Sequence, residues 1–397
     1  MKKTIKLILV LVAFVLAWAI VVGVAVSRRT NRETAVNVTE APVTAEQNEN
    51  WPMFHGAANL RGFTTASLSD SLELAWKFKT GGEINSSPAI DDGLVFIGSA
   101  DANVYAIDLQ SGNQIWVYKT GGPVEATACV VDGLVFIGSE DSFLYALDAR
   151  TGQLKFKYET GGKILSSANY LQTKDEKTLI LVGSYDGKLH CVDSADGKLV
   201  WAYETDSYVN GSAAVEGDAI AFGGCDGKIH IVSAKDGKAI KRIEAGAYIA
   251  GSPAVVDGEI FIGNYDSVFF KADLKLGRIL WEFTGSDEPY YSSPAAGKGS
   301  VVFGGRDNRV HCLDIQSGKE KWSFQALDEV DSSPVICGDK VVVGCEDGRL
   351  YMLRVSDGSK VWLYEMGQAV TSSPAVAKGK IVVGCDDGFV YAFGAKR

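Results

Sequence analysis

Eight aspartates recur at one position of the chain: Asp101, Asp141, Asp186, Asp226, Asp266, Asp307, Asp347 and Asp387. A ring of carboxylates is the kind of oxygen donor set that Ca2+ takes. Each of these residues precedes Gly, Ser, Ala or Asn at a turn, where Asp caps the backbone through its own side chain. The same residue in every repeat is better explained by turn capping, and no metal is expected. His190, His230 and His311 share a second position, which Tyr105, Tyr145 and Tyr351 fill elsewhere. Imidazoles suit Zn2+, but three spread over separate repeats on middle strands read as packing substitutes for tyrosine. His55 stands alone. The seven cysteines are an odd number without a CxxC pair, and most lie in apolar strand patterns where a thiol behaves as a small buried hydrophobe. Cys225, Cys345 and Cys385 share a repeat position, so a Cys345–Cys385 bridge between neighbouring repeats is conceivable. Neither a G-x-S-x-G nucleophile motif nor a phosphate-cradling loop is present. No catalytic residue is assigned and no cofactor is expected.

The elements that carry these residues repeat. Eight segments, from GSADANVYAID (98–108) to GCDDGFVYAFG (384–394), start 40, 45, 40, 40, 41, 40 and 40 residues apart, the long interval reflecting an insertion around Thr173–Lys177. A period near 40 with short strands signals a propeller of four-stranded antiparallel blades. In the second repeat the strands read ATACVV, LVFIGS, FLYALD and LKFKYET between turns at Asp132-Gly133, Asp141-Ser142 and Thr151-Gly152. The last repeat ends at Phe393 without an outer strand, and the lone segment 72–80 supplies it. The expected fold is all-β: an eight-bladed propeller over residues 51–397, closed by its N-terminal strand and removing an exposed edge. Trp76, Trp116, Trp201, Trp281, Trp322 and Trp362 mark the outer strand, with Phe156 and Lys241 in the remaining two places. A large aromatic at one place in successive blades wedges between them, so these tryptophans are structural.

Positions where the repeats disagree are more informative for function. Before each inner strand stand Asn85, Glu125, Leu165, Asn210, Ala250, Tyr291, Asp331 and Thr371, a ring expected to rim the central channel. Such variation reflects either drift or a tailored surface. Beside it, Tyr208, Tyr248, Tyr290 and Tyr291 come from three consecutive blades and are expected to form one aromatic patch bordered by Asp206, Asp287, Glu288, Asp328, Glu329 and Asp331. Aromatic clusters on an exposed rim anchor protein partners. The plainer explanation is that these tyrosines cover the channel mouth.

With 39 Lys and Arg against 49 Asp and Glu, the net charge of −10 argues against nucleic acid, which is bound by neutralising phosphates. At the N-terminus, Lys2, Lys3 and Lys6 precede an apolar run over residues 7–26, closed by Arg28 and Arg29. Its 20 residues span ~30 Å, a bilayer core. Residues 1–29 therefore read as an uncleaved transmembrane anchor, with a cleaved signal as the alternative. Charge on both flanks leaves the positive-inside rule nearly silent on orientation. Residues 30–50 are polar and read as a flexible tether.

The segments AIDLQSGNQIW (106–116), CVDSADGKLVW (191–201) and CLDIQSGKEKW (312–322) resemble the repeat of pyrroloquinoline-quinone-type propellers, and WPMFHGAANLRGFT (51–64) resembles their entry segment. The resemblance implies that Asp, Gly and the terminal Trp dock one blade on the next. It does not specify activity, since such repeats build dehydrogenases, BamB-like outer-membrane assembly scaffolds and sensory ectodomains. Against the quinone-dependent dehydrogenase, no two cysteines are adjacent, no CxxCH occurs, and little chain remains beyond the propeller. The leading expectation is a non-catalytic, membrane-tethered propeller in the periplasm of a bacterial envelope, monomeric, displaying a rigid face to a protein partner. A small-molecule sensor binding in the channel is the second expectation, and the quinoprotein enzyme the third.

Overall fold

Turns rich in Asp and Gly cut the chain into strands too short to bury an apolar face alone, so each group of four must stack on its neighbours. A computed structural model describes residues 49–396. The expected anchor at residues 1–29, and all but the last two residues of the expected tether, lie outside the described residues. Among the described residues no helix is long and apolar enough to cross a membrane.

Eight antiparallel blades form, numbered here in chain order from the one that opens at Ala89. Blade 1 comprises Ala89–Asp91, Leu94–Gly98, Asn103–Asp108 and Gln114–Lys119, from the channel outward. Its two middle strands are buried almost throughout, while only Trp116 is buried on the outer one. Blade 8 takes its outer strand, Leu72–Lys79, from before blade 1, paired antiparallel with Phe389–Ala395. The insertion at Thr173–Lys177 lengthens the first hairpin of blade 3.

Trp116 lies over Gly152 of blade 2, whose φ of 70° and closeness to the indole leave no room for a Cβ. Its Nε1–H donates to the Ala149 carbonyl at 2.9 Å. Trp76, Trp322 and Trp362 donate likewise to Leu109, Val355 and Leu72. Trp201 and Trp281 sit over Gly237 and Gly318, and Phe156 and Lys241 over Gly197 and Gly277, so the contact is made without that hydrogen bond. A bulge beside this position in every outer strand turns the side chain towards the next blade.

Two features hold the inside of the ring. In the Ser-Ser-Pro step and its equivalents, the second hydroxyl accepts the backbone N–H of the preceding blade: Ser167 from Thr127, Ser212 from Ser167, and so on round to Ser87 from Ser373 at 2.9 Å. The belt thus crosses the seam where blade 8 meets blade 1. The lead-in then satisfies the inner strands, whose free edges face the channel with N–H groups that need acceptors. Carbonyls of Trp51, Pro52, Ala58, Asn59, Arg61 and Gly62 accept from Ile90, Val130, Val215, Val255, Ala296 and Ile336, and Asn169 Nδ2 of blade 3 also donates to Ala58. The lead-in therefore seals one end of the channel.

Within this seal His55 is 2% exposed, stacked on Phe54 at 4.3 Å, and its Nδ1–H donates to the Leu60 carbonyl at 3.0 Å. Nε2 is left without a partner, and burial pulls the imidazole down to about 4. Protonation is opposed in the folded state, so stability is full above pH ~6.5 and drains as pH falls towards ~4, by about 3 kcal/mol from this group. Denaturant titrations at pH 7 and pH 4 should show that His55→Asn removes this share of the pH dependence. An unchanged slope would place the titration elsewhere.

Candidate functional site

Each crossing from an outer strand to the next inner strand is pinned by one apolar residue. Ile84, Val124, Ile164, Val209, Ile249, Val330 and Val370 fill this place in seven blades, each buried and most pressed against a glycine of the second strand. In blade 6 the residue is Tyr290. This corrects the expectation of a surface residue: Tyr290 is 1% exposed, packs against Phe283, Phe303 and His311, and its hydroxyl accepts the Gly285 N–H. The crossing in blade 6 is one residue longer, which shifts Pro289 into the place of Tyr208 and Tyr248.

The next residue along each crossing reaches the channel. Asn85, Glu125, Leu165, Asn210, Ala250, Tyr291, Asp331 and Thr371 all line one funnel of about 370 Å³, with Phe54 of the lead-in and belt hydroxyls further in. Glu83 and Asp386 add two further carboxylates to the lining.

Tyr208 and Tyr248 stand on the rim at 51% and 61% exposure. Two tyrosines that the sequence reasoning missed join them. Tyr185 stacks on Tyr208 at 4.6 Å and its hydroxyl donates to Asn210 Oδ1 at 3.2 Å; Tyr265 bridges Tyr248 and Tyr291 at 6.4 and 6.1 Å. Both precede the repeated Asp, a slot that holds Ala100, Glu140, Cys225, Arg306, Glu346 and Asp386 in the other blades. The variability of that slot was the available signal.

Beyond Tyr291, Arg306 lies 4.7 Å over its ring and grips Asp331 through Nε and Nη2 at 3.1 and 2.7 Å. Carboxylate oxygens of Glu329, Asp331 and Glu346 come within 4.8 Å of one another. Arg306 also pairs with Glu329 at 3.2 Å, so this cluster is compensated within the chain, and Asp331 holds the guanidinium well above its ordinary range. Across the mouth, burial first and then Glu140 push the Glu125 carboxyl up, while burial, Glu83 and Asp387 do the same for Asp386.

Seven of the eight repeated aspartates act within the scaffold, Asp266 being exposed with only its backbone N–H bonded, to Asn264. Asp101 accepts the Gly81 N–H at 2.7 Å and the Tyr105 hydroxyl at 2.6 Å, tying the crossing to the turn. His190, His230 and His311 take the tyrosine's role, with Nε2 at 3.0, 3.0 and 2.9 Å from Asp186, Asp226 and Asp307. Burial pulls His190 and His230 down. The conceivable Cys345–Cys385 bridge does not form: both thiols are free, and Cys345 Sγ donates to the Asp328 and Glu329 carbonyls.

A latched ring sealed at one end, with an aromatic and acidic mouth at the other, defines an eight-bladed propeller of the pyrroloquinoline-quinone repeat type. The chain belongs to the family described as outer membrane protein assembly factor BamB, whose model matches residues 66–213 and 289–397. A model of the lambda-carrageenase beta-propeller domain matches residues 171–257. No curated protein matches the sequence. Among solved structures, BamB from Moraxella catarrhalis is similar at 19% identity and TM-score 0.70, over 82% of this chain and 100% of that one. The computationally designed Ika8 protein is similar at 19% and 0.72, over 82% and 100%. Quinohemoprotein alcohol dehydrogenase from Comamonas testosteroni is similar at 15% and 0.73, over 89% and 82%. At these identities the likeness shows the fold alone.

Pyrroloquinoline quinone is a tricarboxylate, and the funnel does not suit it. The lining holds Glu83, Glu125, Asp331 and Asp386 without a Lys or Arg, and the neighbouring Arg306 is committed to Asp331 and Glu329.

Proposed function

We propose that this chain is a non-catalytic interaction scaffold of the bacterial cell envelope, a monomeric propeller held in the periplasm by its N-terminal apolar segment. The rim tyrosines carry this reading: Tyr208 stacks on Tyr185, and Tyr265 joins Tyr248 to Tyr291, two ring groups on a rim fixed by buried anchors. A rigid aromatic surface loses little entropy when a partner settles on it. Membership of a family named for outer-membrane protein assembly supports a partner in envelope protein assembly. A photo-crosslinking side chain placed at Tyr208 or Tyr248 in intact cells should trap one reproducible protein partner, while one placed at Lys235, on the opposite face of the ring, should not. Equal trapping at both faces, or none, sinks the reading.

The small-molecule sensor has one observation in its favour, the floored funnel of about 370 Å³. It becomes the better account if crosslinking is empty and small metabolites raise the melting temperature of the purified chain.

A further inference from the structure

The two halves of the mouth differ in chemistry. Blades 3 to 6 present the tyrosines, whereas the half running from blade 7 through blade 8 to blade 2 presents Asp331, Glu346, Asp386, Glu83, Glu125 and Glu140. Cations inside this acidic half are few and engaged: Arg306 on Asp331 and Glu329, Lys163 on Glu140. No ion pair among the described residues reaches Glu83, Glu125 or Asp386, which line one funnel open at the mouth, Glu83 exposed and the other two partly buried. Like charges crowded in a concave wall attract a cation from outside.

Arg306 shows what these residue types hold. Its guanidinium lies over the Tyr291 ring and is fixed in two bonds by Asp331, a tyrosine and a carboxylate dividing one basic group between them. The same two residue types recur around the rest of the mouth, where the cation near Glu125 is Lys163, already paired with Glu140.

We infer that the mouth receives a basic side chain, Lys or Arg, from a partner polypeptide whose backbone crosses the tyrosine half of the rim. A basic head in the funnel compensates Glu83, Glu125 and Asp386, and the residues flanking it cover Tyr208 and Tyr248. These two rings lie outside the funnel lining, so a ligand confined to about 370 Å³ leaves them bare and a polypeptide does not. Charge carried on a desolvated stem against tyrosine faces gains from the ring quadrupole as well as from the carboxylates.

This inference rests on the scaffold reading, and the test separates the two. Displayed random twelve-residue peptides are selected on the full chain, and the enriched ones are synthesised. Enriched peptides should carry Lys or Arg beside apolar residues, and exchanging the basic residue for norleucine should weaken binding at least tenfold. Glu125→Gln with Asp386→Asn should weaken binding by a similar factor, while Glu244→Gln with Glu282→Gln, on exposed outer strands, should leave it unchanged. Three results overturn the inference: no enrichment of basic residues, equal weakening by both pairs of substitutions, or full competition by 1,5-diaminopentane, which would make a small amine the ligand. A partner trapped at Tyr208 in cells while selected peptides lack basic residues would keep the scaffold and remove the basic segment.

Discussion

Replacing Trp116 by alanine is expected to lower the unfolding free energy by about 3–5 kcal/mol, the range for deleting a buried indole. Three losses combine. The ring is 7% exposed and fills the space above Gly152, which no side chain on the opposite blade can refill. It also packs on Phe96 at 5.8 Å, and its Nε1–H is the donor for the Ala149 carbonyl at 2.9 Å. Trp116→Phe should cost far less, about 1–2 kcal/mol, mostly for the orphaned carbonyl. The chain itself supports that ordering, because Phe156 makes the same contact over Gly197 without the bond. Against a total of about 5–15 kcal/mol for a folded domain the alanine loss is severe. Equilibrium denaturation of the two variants checks it, and a cost below about 1 kcal/mol for Trp116→Ala would mean that the indole does not dock the blades.

The second large effect concerns binding. In Tyr208→Ala with Tyr248→Ala, affinity for the partner trapped at the mouth should fall at least about thirty-fold, the loss of one full hot spot. The fold should be untouched. Both rings are half exposed or more, and their main contacts are with Tyr185 and Tyr265 rather than with the core. Binding measured by titration alongside thermal melting separates the outcomes. Unchanged affinity in a protein that melts normally dismisses the aromatic row as the working face.

The sequence made the ring legible because its signals are covalent and periodic. Asp and Gly at fixed intervals set the turns, the missing outer strand of the last repeat pointed to residues 72–80, and Leu72–Lys79 indeed pairs with Phe389–Ala395. The rim was legible for the same reason, since one position per repeat must reach the channel. What failed was phase: the extra residue in the blade 6 crossing moved Tyr290 from rim to anchor, and period alone does not reveal a one-residue slip between buried and exposed. The seal was invisible for a different reason. Residues 51–64 act through backbone carbonyls spread over several blades, and a carbonyl leaves no residue-type signature. The hydroxyl belt was written in the sequence as Ser-Ser-Pro, but its bonds run between repeats, where spacing along one chain does not distinguish a partner from a neighbour.

Closing the last blade with a strand made before blade 1 sets a clock on biosynthesis. Thr80 finds its acceptor on Gly388, 308 residues further along. At ordinary rates of translation that interval lasts on the order of tens of seconds. Throughout it Leu72–Lys79 has no mate, and the lead-in carbonyls wait for blades that do not yet exist. The nascent molecule is an open arc with two unsatisfied ends, a form in which stray strand pairing competes with completion. The strand Leu72–Lys79 is thus made long before its mate, and losing Phe389–Ala395 would leave it unpaired.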